Sequence, residues 1–197
     1  MRLRLIRHPK PVIAANTCYG QLDIPPDDDD MAALLLRLRA TPVPALVYSS
    51  PLQRCLRVAV TMHRQHAWPE PVIDRNLAEM SFGQWEGRNW DDIGHGALEQ
   101  WRQNMADHVP PGGESVRQLA QRALAFVNNL EAAEQAGNLV MNDKSAIAPG
   151  REPLDIAVFT HAGIIQTMPR IWRGQELSGF SSTRIGYGSV TELVLSR

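Results

Sequence analysis

The chain has 197 residues, 44% of them hydrophobic and 21% charged, which suits a single globular domain over residues 1–197 whose core needs no disulfide or metal staple. Twenty Lys and Arg against 21 Asp and Glu leave a net charge near zero, excluding an overall field that would draw the protein to nucleic acid or an anionic membrane. An anionic ligand must therefore be held locally.

Leu3, Leu5 and Ile6 form a short β-prone run that stops at Arg7-His8-Pro9, where proline ends regular pairing. Residues 9 to 26, with several prolines, Asn16, Gly20 and Asp23, read as a long loop beside a strand end, a common place for function. A helix is expected from about Asp30 to Ala40, with Met31, Leu34, Leu35 and Leu38 on one face. Asp27 to Asp30 resemble a cation site, but carboxylates are favoured at the positive end of the helix about to start, and that reading is preferred.

Ala45 to Ser49 is a buried strand, with Ser50-Pro51 as the cap and first turn of a helix reaching about His66. Pro71 to Asp74 is a short strand, followed by an irregular stretch holding Glu79, Phe82, Gly83, Trp85 and Gly87. Helices are predicted from about Trp90 to Met105 and from Gly113 to Ala136, the latter with Val116, Leu119, Ala123, Phe126, Val127 and Leu130 in one stripe. Residues 137 to 153 read as a mobile surface loop. Asp155 to Thr160 is the most apolar strand, followed by His161-Ala162-Gly163 and another helix, and a strand or hairpin over Tyr187 to Leu195 comes last. Alternating βα units of this kind predict an α/β sheet covered on both faces.

Cys18 and Cys55 follow no metal-ligand spacing and make no disulfide framework, so a reducing cytoplasm is the expected location. The N-terminal MRLRLIRHP is interrupted by arginines, and no apolar run reaches the roughly 18 residues a membrane span needs, so neither export nor insertion is expected. His63 and His66 are half a metal site at most and read as solvent-facing, as do His95 and His108. No Walker loop or Gly-x-Gly-x-x-Gly fingerprint is present, which removes nucleotide-hydrolase and dinucleotide-enzyme readings.

Ligands of open α/β sheets bind outside the carboxyl ends of the strands. Three polar clusters fall at such ends: Arg7-His8, Ser49-Ser50-Pro51 with Arg54, and Thr160-His161. Arginine presents fixed donors that match phosphate oxygens and never loses its charge. The N–H groups of Ala162 and Gly163 at a helix start would add to an anion site. Any one of these residues alone is more often structural than catalytic; the case rests on their convergence.

These runs resemble the motifs of the histidine phosphatase superfamily, also called phosphoglycerate mutase-like. Leu5-Ile6-Arg7-His8 resembles its phosphohistidine signature, Ser49 to Cys55 its second motif, Leu77 to Gly87 its third, and Thr160 to Ile165 its fourth, with Pro110 to Ser115 as a further landmark. The matches keep family order from Leu3 to about Leu195. The resemblance implies a three-layer α/β/α sandwich with a mostly parallel central sheet. It implies that His8 attacks phosphorus, that Arg7, Arg54 and His161 hold the equatorial oxygens, and that Glu79 protonates the leaving alcohol and later takes a proton from water. No metal and no cofactor are implied, because arginines meet the phosphate charge. Two guanidinium groups should also lower the pKa of His8 from about 6.5, keeping its lone pair available. Glu86 lies in the same loop, and the family pattern favours Glu79 as the acid, leaving Glu86 to orient backbone groups. Trp85, Trp90 and Trp101 read as core rather than pocket.

Within the superfamily the chain looks most like the α-ribazole phosphatase branch of cobalamin synthesis. It carries Cys18-Tyr19-Gly20-x-x-Asp23, Glu79-Met80-x-Phe82-Gly83-x-Trp85-Glu86 and Pro-Gly-Gly-Glu-Ser at 111 to 115. Tyr19 and Gly20 fall in the family's substrate-contacting loop. The family's glycine after the histidine is replaced by Pro9-Lys10-Pro11, and Lys10 offers a cation to a second anionic group. A small phosphorylated metabolite is the expected partner, with neither nucleic acid nor membrane. The alternatives are a broad-specificity sugar or small-molecule phosphatase, a phosphoglycerate-type mutase and, in another class, a non-catalytic module that grips a phosphorylated ligand. The mutase would need more basic residues and a larger cap than this chain offers.

Overall fold

In the computed structural model, residues 1–139 and 153–195 are described; most of the surface loop expected at 137–153 falls outside them. The elements are β1 (Arg2–Arg7), α1 (Asp28–Leu38), β2 (Leu46–Ser49), α2 (Gln53–His66), β3 (Val72–Ile73), α3 (Trp90–Ile93), α4 (His95–Gln103), α5 (Val116–Gln135), β4 (Asp155–Thr160), α6 (Ala162–Trp172) and β5 (Val190–Val194). Two 3₁₀ turns, Arg75–Leu77 and Gly83–Trp85, punctuate the irregular stretch. The strand order is β3-β2-β4-β1-β5, parallel except for β5.

Alternation along the strands builds a three-layer α/β/α sandwich. Leu3 and Leu5 of β1, Leu46 of β2 and Ile156 and Val158 of β4 pack with Leu119, Phe126 and Val127 of α5 and Ile165 and Met168 of α6. The intervening residues, Ile6, Val47, Ala157 and Phe159, face Leu34 and Leu38 of α1 and Val58, Ala59 and Met62 of α2. Because β1, β2 and β4 run parallel, their C-terminal ends lie side by side: Arg7 pairs with Thr160 and Ser49 with Phe159.

The helix ends differ from expectation for identifiable reasons. The acidic run 27 to 30 serves α1, with Asp27 as N-cap accepting the Asp30 N–H. Ser50-Pro51 do not form the first turn of α2, which starts at Gln53. Its capping acceptor comes from the first loop, where Asp23 takes the Gln53 N–H at 2.7 Å. The helix predicted over Trp90 to Met105 is broken at Gly94, whose φ of +97° no helix accommodates. The next helix begins at Val116 rather than Gly113, set by a capping box of Ser115 and Gln118. The last strand is limited to Val190–Val194.

Candidate active site

His8 lies just beyond β1, 1% exposed, its N–H bonded to the Thr160 carbonyl at 3.1 Å. Its Nδ1 is 2.6 Å from the Pro9 carbonyl. A carbonyl only accepts, so that contact requires Nδ1–H and leaves the Nε2 lone pair unprotonated. Proline at position 9 thus takes a direct part in the site, since its carbonyl sets the tautomer of the neighbouring imidazole. Burial first, then the Arg54 and Arg7 guanidinium groups, hold the pKa of His8 well below the ordinary imidazole value, opposed by the Pro9 bond. Guanidinium charge, the cause expected from sequence, is present but ranks below desolvation.

The His161 ring centroid is 5.0 Å from that of His8. His161 is fully buried, with Nε2 2.8 Å from Ser50 Oγ and 3.5 Å from Cys55 Sγ. Its pKa too is pushed well down, chiefly by burial and then by Arg54 and His8. Two uncharged imidazoles therefore lie within the field of the Arg54 and Arg7 guanidinium groups. Arg54 is wholly buried and reaches back to the first loop, donating to the Leu22 carbonyl at 2.8 Å and the Gly20 carbonyl at 2.5 Å. Arg7 donates to the Ile185 carbonyl. Among the described residues neither Arg7 Nε nor Arg54 Nε has a hydrogen-bond partner, so each keeps a buried donor with capacity for an oxyanion.

Glu79 approaches from the third motif. Its Oε1 accepts the Met80 N–H at 2.9 Å and its Oε2 the Gly163 N–H at 3.2 Å. This corrects the expected anion-binding pair at the start of α6. The Gly163 N–H is occupied by the carboxylate, leaving Ala162 as the other N–H there. Position 163 must be glycine for this, because a Cβ would overlap Glu79 Oε1. Glu86 Oε1 takes the N–H groups of Gln21 and Phe82, each at 2.9 Å, and so acts as a backbone clamp between the first loop and the third motif. Gly20 is packed so tightly that a Cβ would strike the Met80 carbonyl. Tyr19 lies against Arg54, with the guanidinium carbon 5.3 Å from its ring centroid.

Sequence reasoning missed Tyr187. Its ring is 5.6 Å from that of His8, Arg7 lies over it at 4.0 Å, and its hydroxyl is 2.9 Å from that of Tyr19. Reading Tyr187 as one more strand residue hid this, and nothing in its local pattern marks it. The roles of Cys55 and Ser50 beside His161 were hidden as well, although both lie inside the second motif. Lys10 is exposed and its backbone N–H bonds Asp30 at 3.3 Å.

Among the other histidines, His63 and His66 are half-buried rather than solvent-facing, and His63 Nδ1 meets the Trp68 carbonyl at 2.9 Å, closing α2. His95 is exposed and His108 half-buried. Trp85 and Trp101 are buried and meet edge to face, as expected of core; Trp90 is half-buried and stacks on Trp101. Among the described residues no helix is long and apolar enough to cross a membrane.

Two uncharged imidazoles, two guanidinium groups and a carboxylate gather at the carboxyl end of a parallel sheet, residue types suited to binding an oxyanion and to nucleophilic and proton-transfer chemistry. The family model for the histidine phosphatase superfamily (branch 1) matches residues 3–197, and the chain belongs to that superfamily. It is 28% identical over 148 residues, 72% of each chain, to the adenosylcobalamin/alpha-ribazole phosphatase of Salmonella typhimurium. Its fold superposes on the alpha-ribazole phosphatase of Shigella flexneri with a TM-score of 0.79 at 22% identity, covering 100% of this chain and 92% of the other. A mycobacterial glucosyl-3-phosphoglycerate phosphatase gives a TM-score of 0.77 at 23% identity, over 97% and 88% of the two chains. The phosphoglycerate mutase-like fold expected from sequence is the one observed.

Proposed function

We propose that this chain is a metal-independent phosphomonoesterase that works through a phosphohistidine on His8. The observation that carries the reading is the His8 tautomer: a buried imidazole whose Nδ1–H is committed to the Pro9 carbonyl presents Nε2 as an uncharged nucleophile beside His161 and Arg54. Nε2 attacks phosphorus, the bond from phosphorus to the ester oxygen breaks, and the departing alcohol takes a proton from Glu79. Water then attacks the phosphohistidine, Glu79 accepts its proton, and inorganic phosphate leaves. Arg7, Arg54 and His161 hold the nonbridging oxygens, joined by the Ala162 N–H, while Tyr19 and Gly20 contact the leaving group.

The preferred substrate class is a small phosphorylated metabolite, with α-ribazole 5′-phosphate as the leading candidate. The support is the resemblance of Cys18 to Asp23 and Glu79 to Glu86 to that branch and the similarity to the Salmonella protein named for this activity. The test is a panel of phosphomonoesters without added metal, including α-ribazole 5′-phosphate, sugar phosphates and phosphoglycerates, ranked by kcat/KM. The expected result is phosphate release with α-ribazole 5′-phosphate leading, loss of turnover in His8→Ala, and acid-labile, base-stable labelling that needs His8. Transfer to an acceptor alcohol instead of water would replace the phosphatase by a mutase. Binding without labelling or turnover would replace it by a ligand-gripping module.

A further inference from the structure

Glu79 sits in an irregular segment with no helix or strand of its own to hold it, yet a proton donor must be placed to within a fraction of an ångström. The segment is held from outside, by Arg122 on the buried stripe side of α5. Arg122 Nη1 donates to the carbonyls of Asn76 at 2.8 Å and Ala78 at 2.6 Å, and Nη2 donates to the carbonyl of Glu79 itself at 2.8 Å. The same guanidinium forms a fork with Glu114, Nη2 to Oε1 at 2.6 Å and Nε to Oε2 at 3.1 Å. Glu114 then takes hold of the far side of the segment, accepting the Ser81 N–H on Oε1 and donating its own N–H to the Ser81 carbonyl, both at 2.9 Å. Both side chains of the pair are more than four-fifths buried.

We infer that the Arg122–Glu114 ion pair is a positioning device for the proton donor, fastening the backbone on both sides of Glu79 so that its carboxylate stays on the Met80 and Gly163 N–H groups. The inference rests on the phosphatase reading of Glu79. Arg122 touches no reacting atom, and its effect passes through the acid. Only arginine serves here, since a planar fork reaches three carbonyls and a carboxylate at once, whereas a lysine ammonium is a single point donor with three protons.

The test compares 4-nitrophenyl phosphate, whose phenolate leaves with little need of a proton, with 2-phenylethyl phosphate, whose alkoxide needs one. Arg122→Lys should lower kcat/KM by about tenfold or more on the alkyl ester and by less than about threefold on the aryl ester, the general acid itself contributing 10²–10⁴-fold. Glu114→Gln should shift the ratio of the two esters in the same direction, and it carries the test if Arg122→Lys does not fold, as checked by thermal unfolding. In a Glu79→Gln background, Arg122→Lys should cost the alkyl ester less than about twofold more, because two groups acting through one step are not additive. Equal losses on both esters, or a full additional loss in the Glu79→Gln background, would overturn the positioning role and leave the phosphatase reading intact. No phosphate release from either ester by the unaltered protein would overturn both.

Discussion

The two buried imidazoles make stability depend on pH below the ordinary histidine pKa. An unfolded histidine titrates at about 6.5. His8 and His161 are held well below that, first by burial and then by Arg54. As the pH falls below about 6.5 the unfolded chain takes up a proton at each position that the native protein refuses. The stabilisation is therefore complete above that pH and is lost on acidification, by about 1.4 kcal/mol per pH unit for each imidazole until its native pKa is reached. The two together predict a slope of about 2.7 kcal/mol per pH unit between pH 6.5 and the native values. Urea unfolding in phosphate-free buffer at half-unit steps from pH 7.5 to 5 measures it. His161→Gln isolates one contribution, because groups distant from the site cancel in the difference: the variant's curve should be shallower by about 1.4 kcal/mol per unit below pH 6.5. Parallel curves for the two proteins would refute the claim that the His161 ring is buried uncharged.

Gly163→Ala places a methyl where Glu79 Oε1 stands. It should displace the Glu79 carboxylate and, on the proposed mechanism, slow hydrolysis of alkyl esters far more than aryl esters, as measured by their kcat/KM ratio. Glu86→Ala leaves the Gln21 and Phe82 N–H groups without their acceptor and should cost about 1–3 kcal/mol in urea unfolding. Tyr187→Phe keeps the ring under Arg7 and loses only the contact with the Tyr19 hydroxyl. Product inhibition by phosphate should stay within about twofold of the unaltered protein, while Tyr187→Ala should weaken it by about threefold, the scale of a partly exposed cation–π contact. Asp23→Ala removes a helix-capping acceptor from outside α2 and should lower stability by about 1 kcal/mol, read from the urea midpoint.

What could be read from the sequence divides along a physical line. Period-two and period-3.6 patterns report which face of an element is apolar, so β1, β4 and the stripe of α5 were legible, and parallel βα units placed Arg7-His8, Arg54 and Thr160-His161 near a common edge before any coordinates. Element ends were less legible because they depend on partners from elsewhere. The start of α2 answers to Asp23, some thirty residues upstream, and no local rule for Ser50-Pro51 contains that information. Gly94 shows the opposite failure: its sequence context is helical, and only the backbone turn at φ +97° reveals the break.

Patterns report which residues turn inward, whereas strand order decides which inward residues meet. His8 and His161 face each other because β1 and β4 are neighbours, and Tyr187 reaches His8 because the segment before β5 ends at the far side of β1. The same holds for Glu79. Glu79 was identifiable by motif, but its carboxylate accepts the Gly163 N–H of α6 and its backbone carbonyl the Arg122 guanidinium of α5, and the requirement for glycine at 163 follows from that approach rather than from any turn. In a site assembled this way the reacting groups are conspicuous as residue types and the groups that aim them are not. Substitutions at the aiming positions should therefore leave the fold recognisable while changing which esters react, an outcome that motif matching alone would not anticipate.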